Sequence, residues 1–211
     1  VVGAGDQTPV GGRFSQFMSL TLNNRGEMAF EGRVHEGRAP SGVFVGSKSG
    51  VRKVVAVGDA SPVGGTFNKL TLPLVNDNGD VLFWASLEGA RVPAGLFLAS
   101  NGTIDKVAAR GEPIPGGGRL SFIGLSYSFN RSGVVAFQAA ITGGKSSAAI
   151  FVARKGSVTP IVRVGDPTPV GGHFTSLIAP EIGPDGTVVF AADVRGGQAA
   201  TGIFVAVPTE K

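Results

Sequence analysis

Apolar residues along this chain fall into short runs that are separated by turns rich in Gly, Asn, Asp and Pro. From residue 67 to residue 109 these runs predict four short strands in hairpin succession: Phe67–Val75, Asp80–Leu87, Gly95–Ala99 and Asp105–Ala109. Pro73 lies inside the first run and lacks a backbone donor, so we expect that strand at a sheet edge. No sustained i, i+3, i+4 spacing of apolar residues occurs, and we therefore predict essentially no α-helix.

The same unit is written four times along the chain. Each copy carries a Gly-acid turn followed by a Pro-containing loop with a double glycine, and the opening glycines are Gly5, Gly58, Gly111 and Gly165, a period of 53, 53 and 54 residues. Phenylalanines recur in the second strands (Phe30, Phe83, Phe137 and Phe190) and in the third strands (Phe44, Phe97, Phe151 and Phe204). Aromatic residues fixed in this way predict the core of each unit.

Four-stranded antiparallel units at this spacing are typical of β-propeller blades. We predict a single all-β domain over residues 1–211, with repeats of about 1–53, 54–106, 107–160 and 161–211. Val1–Ala4 match the end of an outermost strand and Thr201–Val207 match a third strand, so we expect the N-terminal strand to complete the last blade and close a four-bladed ring. A two-chain, eight-bladed ring and an open solenoid are the alternatives.

Composition and charge limit the classes of partner and of reaction that we expect for this chain. The net charge is +4, but basic residues are scattered without interleaved aromatics, so we predict no nucleic-acid binding. No apolar stretch is long enough for a membrane span, and the absence of a starting methionine suggests a mature or trimmed product. The chain has no cysteine and only two histidines, and it carries no hydrolase elbow, zinc-protease or phosphate-loop motif. We therefore assign no catalytic residue and no resident metal.

The hairpin turns carry a family resemblance. The segments 23–30, 76–83 and 130–137 share the pattern Asn-x-x-Gly-x-x-x-Phe, which resembles the bacterial tandem-repeat proteins named for an NxxGxxAF motif. The second copy departs at Leu82, and the fourth has Gly183 in place of Asn and Val189 in place of Ala. The resemblance implies an exported bacterial protein, extracellular or at the cell surface, and it transfers no catalytic residue. The turn side chains Asn23, Asn76, Asn130 and Asp185 are expected to bond their own turn backbone.

Two sets of residues are candidates for a ligand site at the mouth of an axial channel. The first is the recurrent acid after the opening glycine: Asp6, Asp59, Glu112 and Asp166. A ring of four carboxylates could hold calcium or a cationic group, although each acid could instead cap its own loop by accepting backbone N–H bonds. The second set breaks the fourfold symmetry: Arg13, Arg119 and His173 after the double glycine, and Glu181 within an otherwise apolar strand.

From these features we predict an exported, non-enzymatic module for binding or surface structure, with a glycan or another surface protein as partner. We expect a monomer without a required cofactor. The alternative is a glycan-binding lectin or glycan-active enzyme that uses the channel mouth, and a third reading is assembly between chains through faces or edge strands. A fold of this class does not by itself imply a function.

Overall fold

The computed structural model describes residues 2–154 and 156–207, except for the side chain of Leu125. The described chain contains fifteen strands and no helix, as the hydrophobic pattern predicts. The strands are β1 Arg13–Leu22, β2 Met28–His35, β3 Ser41–Ser47, β4 Gly50–Ala56, β5 Thr66–Val75, β6 Val81–Glu88, β7 Ala94–Ser100, β8 Thr103–Ala109, β9 Arg119–Phe129, β10 Val135–Thr142, β11 Ala148–Arg154, β12 Ser157–Arg163, β13 His173–Ile182, β14 Val188–Arg195 and β15 Thr201–Ala206. The four strands predicted for the second repeat agree with β5–β8 to within a few residues.

Each repeat forms one antiparallel sheet in sequential order, the order of a propeller blade. We name these sheets blade 1 (β1–β4), blade 2 (β5–β8), blade 3 (β9–β12) and blade 4 (β13–β15). The first three have four strands, whereas blade 4 has three. The all-β, propeller-like prediction is thus confirmed at the level of the blades.

The chain divides into two compact units, and the division falls between the second and third repeats. Unit 1 is Val1–Lys106 and unit 2 is Val107–Lys211, with β8 running across the division. Unit 1 contains blades 1 and 2, and unit 2 contains blades 3 and 4. Each unit is therefore a pair of consecutive blades, and the assignment of all four repeats to a single domain stays a prediction.

Closure by the N-terminal strand is not seen. Val1 lies outside the described residues, and residues 2–4 form no strand. The edge of β15 that would receive a fourth strand has no strand beside it in the described chain. A closed four-bladed ring stays a prediction.

The repeated phenylalanines form the centre of each blade, as predicted. In blade 2, Phe83 and Phe97 face each other across β6 and β7 with ring centroids 5.9 Å apart, and Phe67 meets Phe97 edge-on at 5.1 Å. All three rings are buried. Aromatic pairs in this geometry stabilise a fold by about 0.5–1.5 kcal/mol beyond the area they bury. The other blades repeat the second-to-third-strand pair in the same register.

The first strand of each blade carries a register irregularity, and in β5 and β13 a proline lies within it. In β5 the register shifts between Thr71 and Leu74, and Leu72 has a positive φ of 50°. Pro73 follows Leu72 inside this bulge, where no ladder bond is needed from its nitrogen. Ser19 and Ala179 take the same conformation in β1 and β13. The prediction that Pro73 suits an edge strand is confirmed, because β5 is an edge of blade 2.

Candidate functional site

The four predicted acids all cap the turn that precedes them. Each side chain accepts a hydrogen bond from the backbone N–H three residues earlier: Asp6 from Gly3 at 2.7 Å, Asp59 from Ala56 at 2.8 Å, Glu112 from Ala109 at 2.9 Å and Asp166 from Arg163 at 2.8 Å. The capping alternative is therefore correct in kind. The bonded N–H lies before the acid, however, and not in the Pro-Gly-Gly loop that follows it.

A carboxylate ring is not assembled by any contact in the described chain. Asp6 and Asp59 lie in unit 1, and Glu112 and Asp166 lie in unit 2. Across residues 2–154 and 156–207, no group of three or more acidic or histidine side chains is arranged to hold a metal ion. Asp59 also pairs with Lys53 at 3.0 Å, which competes for its negative charge. A calcium-holding ring stays a prediction.

Arg13, Arg119 and His173 differ in sequence but share one contact. Each is exposed, and each side chain bonds the carbonyl oxygen of the opening glycine eight residues earlier: Arg13 Nη1 donates to Gly5 O at 2.6 Å, Arg119 Nη1 to Gly111 O at 2.8 Å, and His173 Nδ1 lies 3.1 Å from Gly165 O. A carbonyl only accepts, so His173 carries its proton on Nδ1 in this contact. The three side chains therefore differ in type but bond the same backbone atom of the repeat.

Glu181 lies on β13 opposite Val189, and its register position has a clear role in two other blades. At that position blade 1 has Thr21 and blade 3 has Ser128, each opposite the matching residue of the second strand. Thr21 Oγ1 donates to Pro73 O of blade 2 at 3.0 Å, and Ser128 Oγ donates to Pro180 O of blade 4 at 2.9 Å. Glu181 therefore stands where a hydroxyl normally bonds the following blade. This role depends on a partner about 52 residues away, which pattern reading did not predict.

The environment of Glu181 predicts that the stability of the protein depends on pH. Desolvation raises the pKa of its carboxyl although the residue remains exposed as a whole. Because the pKa of Glu181 is higher in the folded than in the unfolded protein, ionisation of its carboxyl destabilises the fold. This destabilisation is absent below the unfolded-state pKa and is complete once the pH has risen through the folded-state pKa. We expect Glu181→Gln to raise the thermal midpoint modestly at pH 7, and the gain to vanish near pH 3. Equal gains at both pH values would contradict this.

Buried asparagines join neighbouring blades, a role that the turn motif alone did not reveal. Asn23 Oδ1 accepts the N–H groups of Arg25 and Glu27 at 3.0 and 2.9 Å, which confirms the predicted turn bonding. Its Nδ2 also donates to Asn76 O of blade 2 at 2.8 Å. In unit 2, Asn130 Nδ2 donates in the same way to Gly183 O of blade 4 at 3.0 Å. In blades 1 and 3 the Asn of the motif is thus both a turn residue and a clamp to the following blade.

Asp185 keeps the turn role in the fourth repeat. Its carboxylate accepts both the N–H and the hydroxyl of Thr187, at 2.9 Å each. The backbone bond from Thr187, and then its hydroxyl, lower the pKa of Asp185. Asn76 and Asn130 each accept two N–H groups of their own turns on Oδ1, so the expectation that these four side chains bond their own turn backbone is confirmed in every repeat.

A polar cavity of about 470 Å³ lies within unit 1, between the end of blade 1 and the hairpin that joins β7 to β8. Its lining includes Glu27, Arg52, Lys53, Asp80 and Thr103. Arg52 Nη2 donates to Gly79 O at 2.9 Å and so is held in place. A cavity with both signs of charge and hydroxyl groups suits a small polar ligand. None of the eight predicted site residues lines it.

An apolar surface on blade 4 is the other site that pattern reading missed. Val189, Ile203 and Val205 are exposed, and they occupy one face because β14 and β15 pair Val189 with Val205 and Ala191 with Ile203. Ile178 extends the surface on β13, opposite Ala191. We call these residues the blade 4 face. Exposed apolar patches of this kind mark interaction surfaces.

Comparisons with known proteins identify a family but no activity. Comparison with curated proteins finds no match. One solved structure that resembles the chain is the X-ray structure of a candidate gluconolactonase, with 14% identity and a TM-score of 0.41. The alignment covers 92% of this chain and 63% of that one, so the chain spans less than two thirds of that protein. A similarity at this level supports no argument about function. A sequence profile matches residues 1–147, and the chain therefore belongs to DUF7453, a family of unknown function.

Proposed function

We propose that this protein is an exported, non-enzymatic interaction module that binds another protein chain through the blade 4 face. The observation that carries the proposal is the exposure of Val189, Ile203 and Val205 on one side of a sheet. Burying such side chains against a partner contributes about 1.5–3 kcal/mol each when complete. The proposal includes an extracellular location at the cell surface and a relationship to the NxxGxxAF repeat proteins.

We propose no catalytic role, because most of the predicted site residues bond nearby backbone atoms. The four acids, Arg13, Arg119 and His173 each bond local backbone, so their polar atoms serve the loops between blades. These bonds engage polar atoms that a general acid or base would use to transfer a proton to or from a substrate. No cofactor forms part of the proposed function.

Site-specific cross-linking tests the proposal. A photoreactive amino acid at position 203, on the blade 4 face, would be compared with one at position 49, which is exposed on the β3–β4 hairpin. The protein would be made and irradiated in its native cells, and the cross-linked peptides identified by mass spectrometry. We expect one defined protein partner at position 203 and none at position 49. Equal, non-specific cross-linking at both positions would overturn the proposal.

Glycan binding is the second candidate, and the polar cavity of unit 1 favours it. Carboxylates and a hydroxyl, such as Glu27, Asp80 and Thr103, can bond sugar hydroxyls. Blade 4 would then have no partner, so position 203 would cross-link no better than position 49. Closure of four blades into one ring, predicted from the sequence, would instead cross-link position 203 to blade 1 of the same chain.

A further inference from the structure

Each unit shows what covers the face that blade 4 leaves exposed. In unit 1, Ala29, Val43 and Val45 of blade 1 form one core with Phe67 and Phe97 of blade 2. In unit 2, Ala136 and Ile150 of blade 3 form one core with Phe174 and Phe190 of blade 4. The face of one blade is therefore covered by the phenylalanine-bearing face of the next. Each unit therefore contains one example of the surface that packs on such a face, namely the phenylalanine-bearing side of the next blade.

The same positions on blade 4 are exposed in the part of the chain that the structure describes. Ile203 is 78% exposed, whereas Val43 at the matching position of blade 1 is 0% exposed. Val205 is 59% exposed, and its counterpart Val45 is 2% exposed. These residues are as apolar as their buried counterparts. The blade 4 face is therefore a blade-packing surface in composition, and not an ordinary solvated surface.

The opposite side of a blade, which carries the phenylalanines, has a large exposed apolar residue in blade 1. Leu22 ends β1 and is 71% exposed, whereas the matching Val75 of blade 2 is 9% exposed in the core it shares with blade 1. Phe17 is only partly buried, and it lies over Phe14 and Phe30 with ring centroids 5.3 and 5.4 Å away. Phe14, Phe30 and Phe44 of blade 1 are buried, so Leu22 and part of Phe17 are what remains accessible on the side that blades 2 and 4 turn towards their predecessors. We call Phe17 and Leu22 the blade 1 face.

The N-terminal residues make the same hydrogen bonds as the segment that links one blade to the next. At the crossing from blade 1 to blade 2, Ala56 N donates to Asp59 and Gly58 N donates to Phe67 O at 2.8 Å. At the N-terminus, Gly3 N donates to Asp6 and Gly5 N donates to Phe14 O at 2.7 Å. A strand that enters this turn pairs with the third strand of the preceding blade, as Ala56 pairs with Gly42. The position that matches Gly42 in blade 4 is Gly202, on the unpaired edge of β15.

We propose that the blade 4 face is occupied by the blade 1 face of a second copy of this chain, in a head-to-tail contact. The proposal rests on the proposed function and names its partner. The blade 4 face and Leu22 of the blade 1 face are exposed, and inside each unit residues at the matching positions pack against one another. Residues 2–4 of the second copy would lie beside Thr201–Gly202 and supply the missing outer-strand pairing. Glu181 would lie at the edge of this contact, where Thr21 and Ser128 bond the next blade.

A head-to-tail contact joins two different surfaces, so it either closes into a ring of copies or continues as a filament. That property separates it from a contact of the blade 4 face with itself. A contact of the second kind pairs identical surfaces and stops at a dimer. Substitutions on the two faces therefore have different consequences when the variants are mixed.

The test uses two variants of the full chain, Leu22→Lys and Ile203→Lys, which change exposed residues and so leave the single-chain core intact. Light scattering should give the natural protein a mass above the 21.4 kDa chain mass that rises with concentration or reaches a fixed multiple of it. Each variant alone should lose most of that association. An equimolar mixture should form a species of two chains and nothing larger, because only one intact pair of faces remains. Phe122→Lys is the matched control, since it places the same charge at an exposed apolar residue of β9 outside both faces. It should assemble like the natural protein.

Three results would overturn the second-copy proposal. A natural protein that stays at 21.4 kDa at all concentrations would do so, as would a mixture of the two variants that stays monomeric. Association of Leu22→Lys at the natural level, with loss only in Ile203→Lys, would indicate a contact between two blade 4 faces instead. If the natural protein is monomeric while position 203 cross-links to a different protein, the proposed function stands and only the second copy fails.

Discussion

Replacing Gly65 by alanine is expected to destabilise the protein far more than replacing its neighbour Gly64. Both glycines have a positive φ, of 67° and 87°, so each alanine carries a backbone cost of about 1–2 kcal/mol. A Cβ at Gly65 would lie 2.2 Å from Glu88 O and 2.6 Å from Ala90 N, whereas a Cβ at Gly64 has nothing within 4 Å. Neither of those backbone atoms can move without displacing the loop between β6 and β7.

We expect the free energy of unfolding to differ by about 2–4 kcal/mol between the Gly65→Ala and Gly64→Ala variants. Chemical denaturation of both variants, followed by circular dichroism, measures this difference. Equal losses would show that the double glycine serves backbone conformation only. The second glycine of the pair in the first and fourth repeats, Gly12 and Gly172, meets the matching loop equally closely, with a backbone oxygen 2.3 Å from the position of a Cβ. The close approach of two loops thus explains why the chain repeats Gly-Gly and not a single glycine.

Replacing Asn23 by alanine is expected to have the second largest effect. Asn23 is buried, and the substitution removes the acceptor of the Arg25 and Glu27 N–H groups. It also removes one of the two donors to the carbonyl of Asn76, which still accepts the Gly79 N–H. Each buried polar group left without a partner costs about 1–3 kcal/mol. Some of these groups lie near the surface and can be rehydrated, so we expect a total loss of about 2–4 kcal/mol.

Two further variants separate the turn from the clamp. Asn23→Asp is compared in a Glu27→Gln background, because Asn23 Nδ2 also donates to the Glu27 carboxylate at 2.8 Å. It keeps the oxygen that accepts the turn N–H groups but removes the donor to Asn76 O, so it should lose the clamp and retain most of the turn. Asn24→Ala is the exposed control, because it removes only the side-chain bond to Asp77 at 2.9 Å. Chemical denaturation should rank Asn24→Ala as the mildest and Asn23→Ala as the most severe. Similar losses for Asn23→Ala and Asn24→Ala would contradict the double role of Asn23.

The hydrophobic pattern determined the local structure because strands and tight turns depend on neighbouring residues. Apolar runs and Asn-x-x-Gly turns predicted β5–β8 to within two residues, and the recurrence of Phe83 and Phe97 predicted that both lie in the core of the blade. Both signals act over a few residues or across one hairpin, where pairing register follows from the turn.

The candidate site was predicted less well, because residue type does not reveal direction. The recurrent acids suggested a ring, yet Asp59 and its equivalents each bond an N–H three residues earlier. Arg13 and His173 suggested broken symmetry, yet both bond the carbonyl of the opening glycine. In each case a local backbone partner satisfies the side chain, a contact that requires coordinates to recognise.

The sequence by itself determined the number of repeats, the strands within each, the phenylalanine cores and the turn bonds of the motif, because these features are encoded within about fifty residues of one another. Only the tertiary structure decided which faces are covered. Ile203 and Val43 are both β-branched aliphatic residues at the same repeat position, yet one is exposed and the other buried. Burial of a blade face depends on a neighbouring blade that lies a whole repeat away, and no pattern within the blade records whether that neighbour is present.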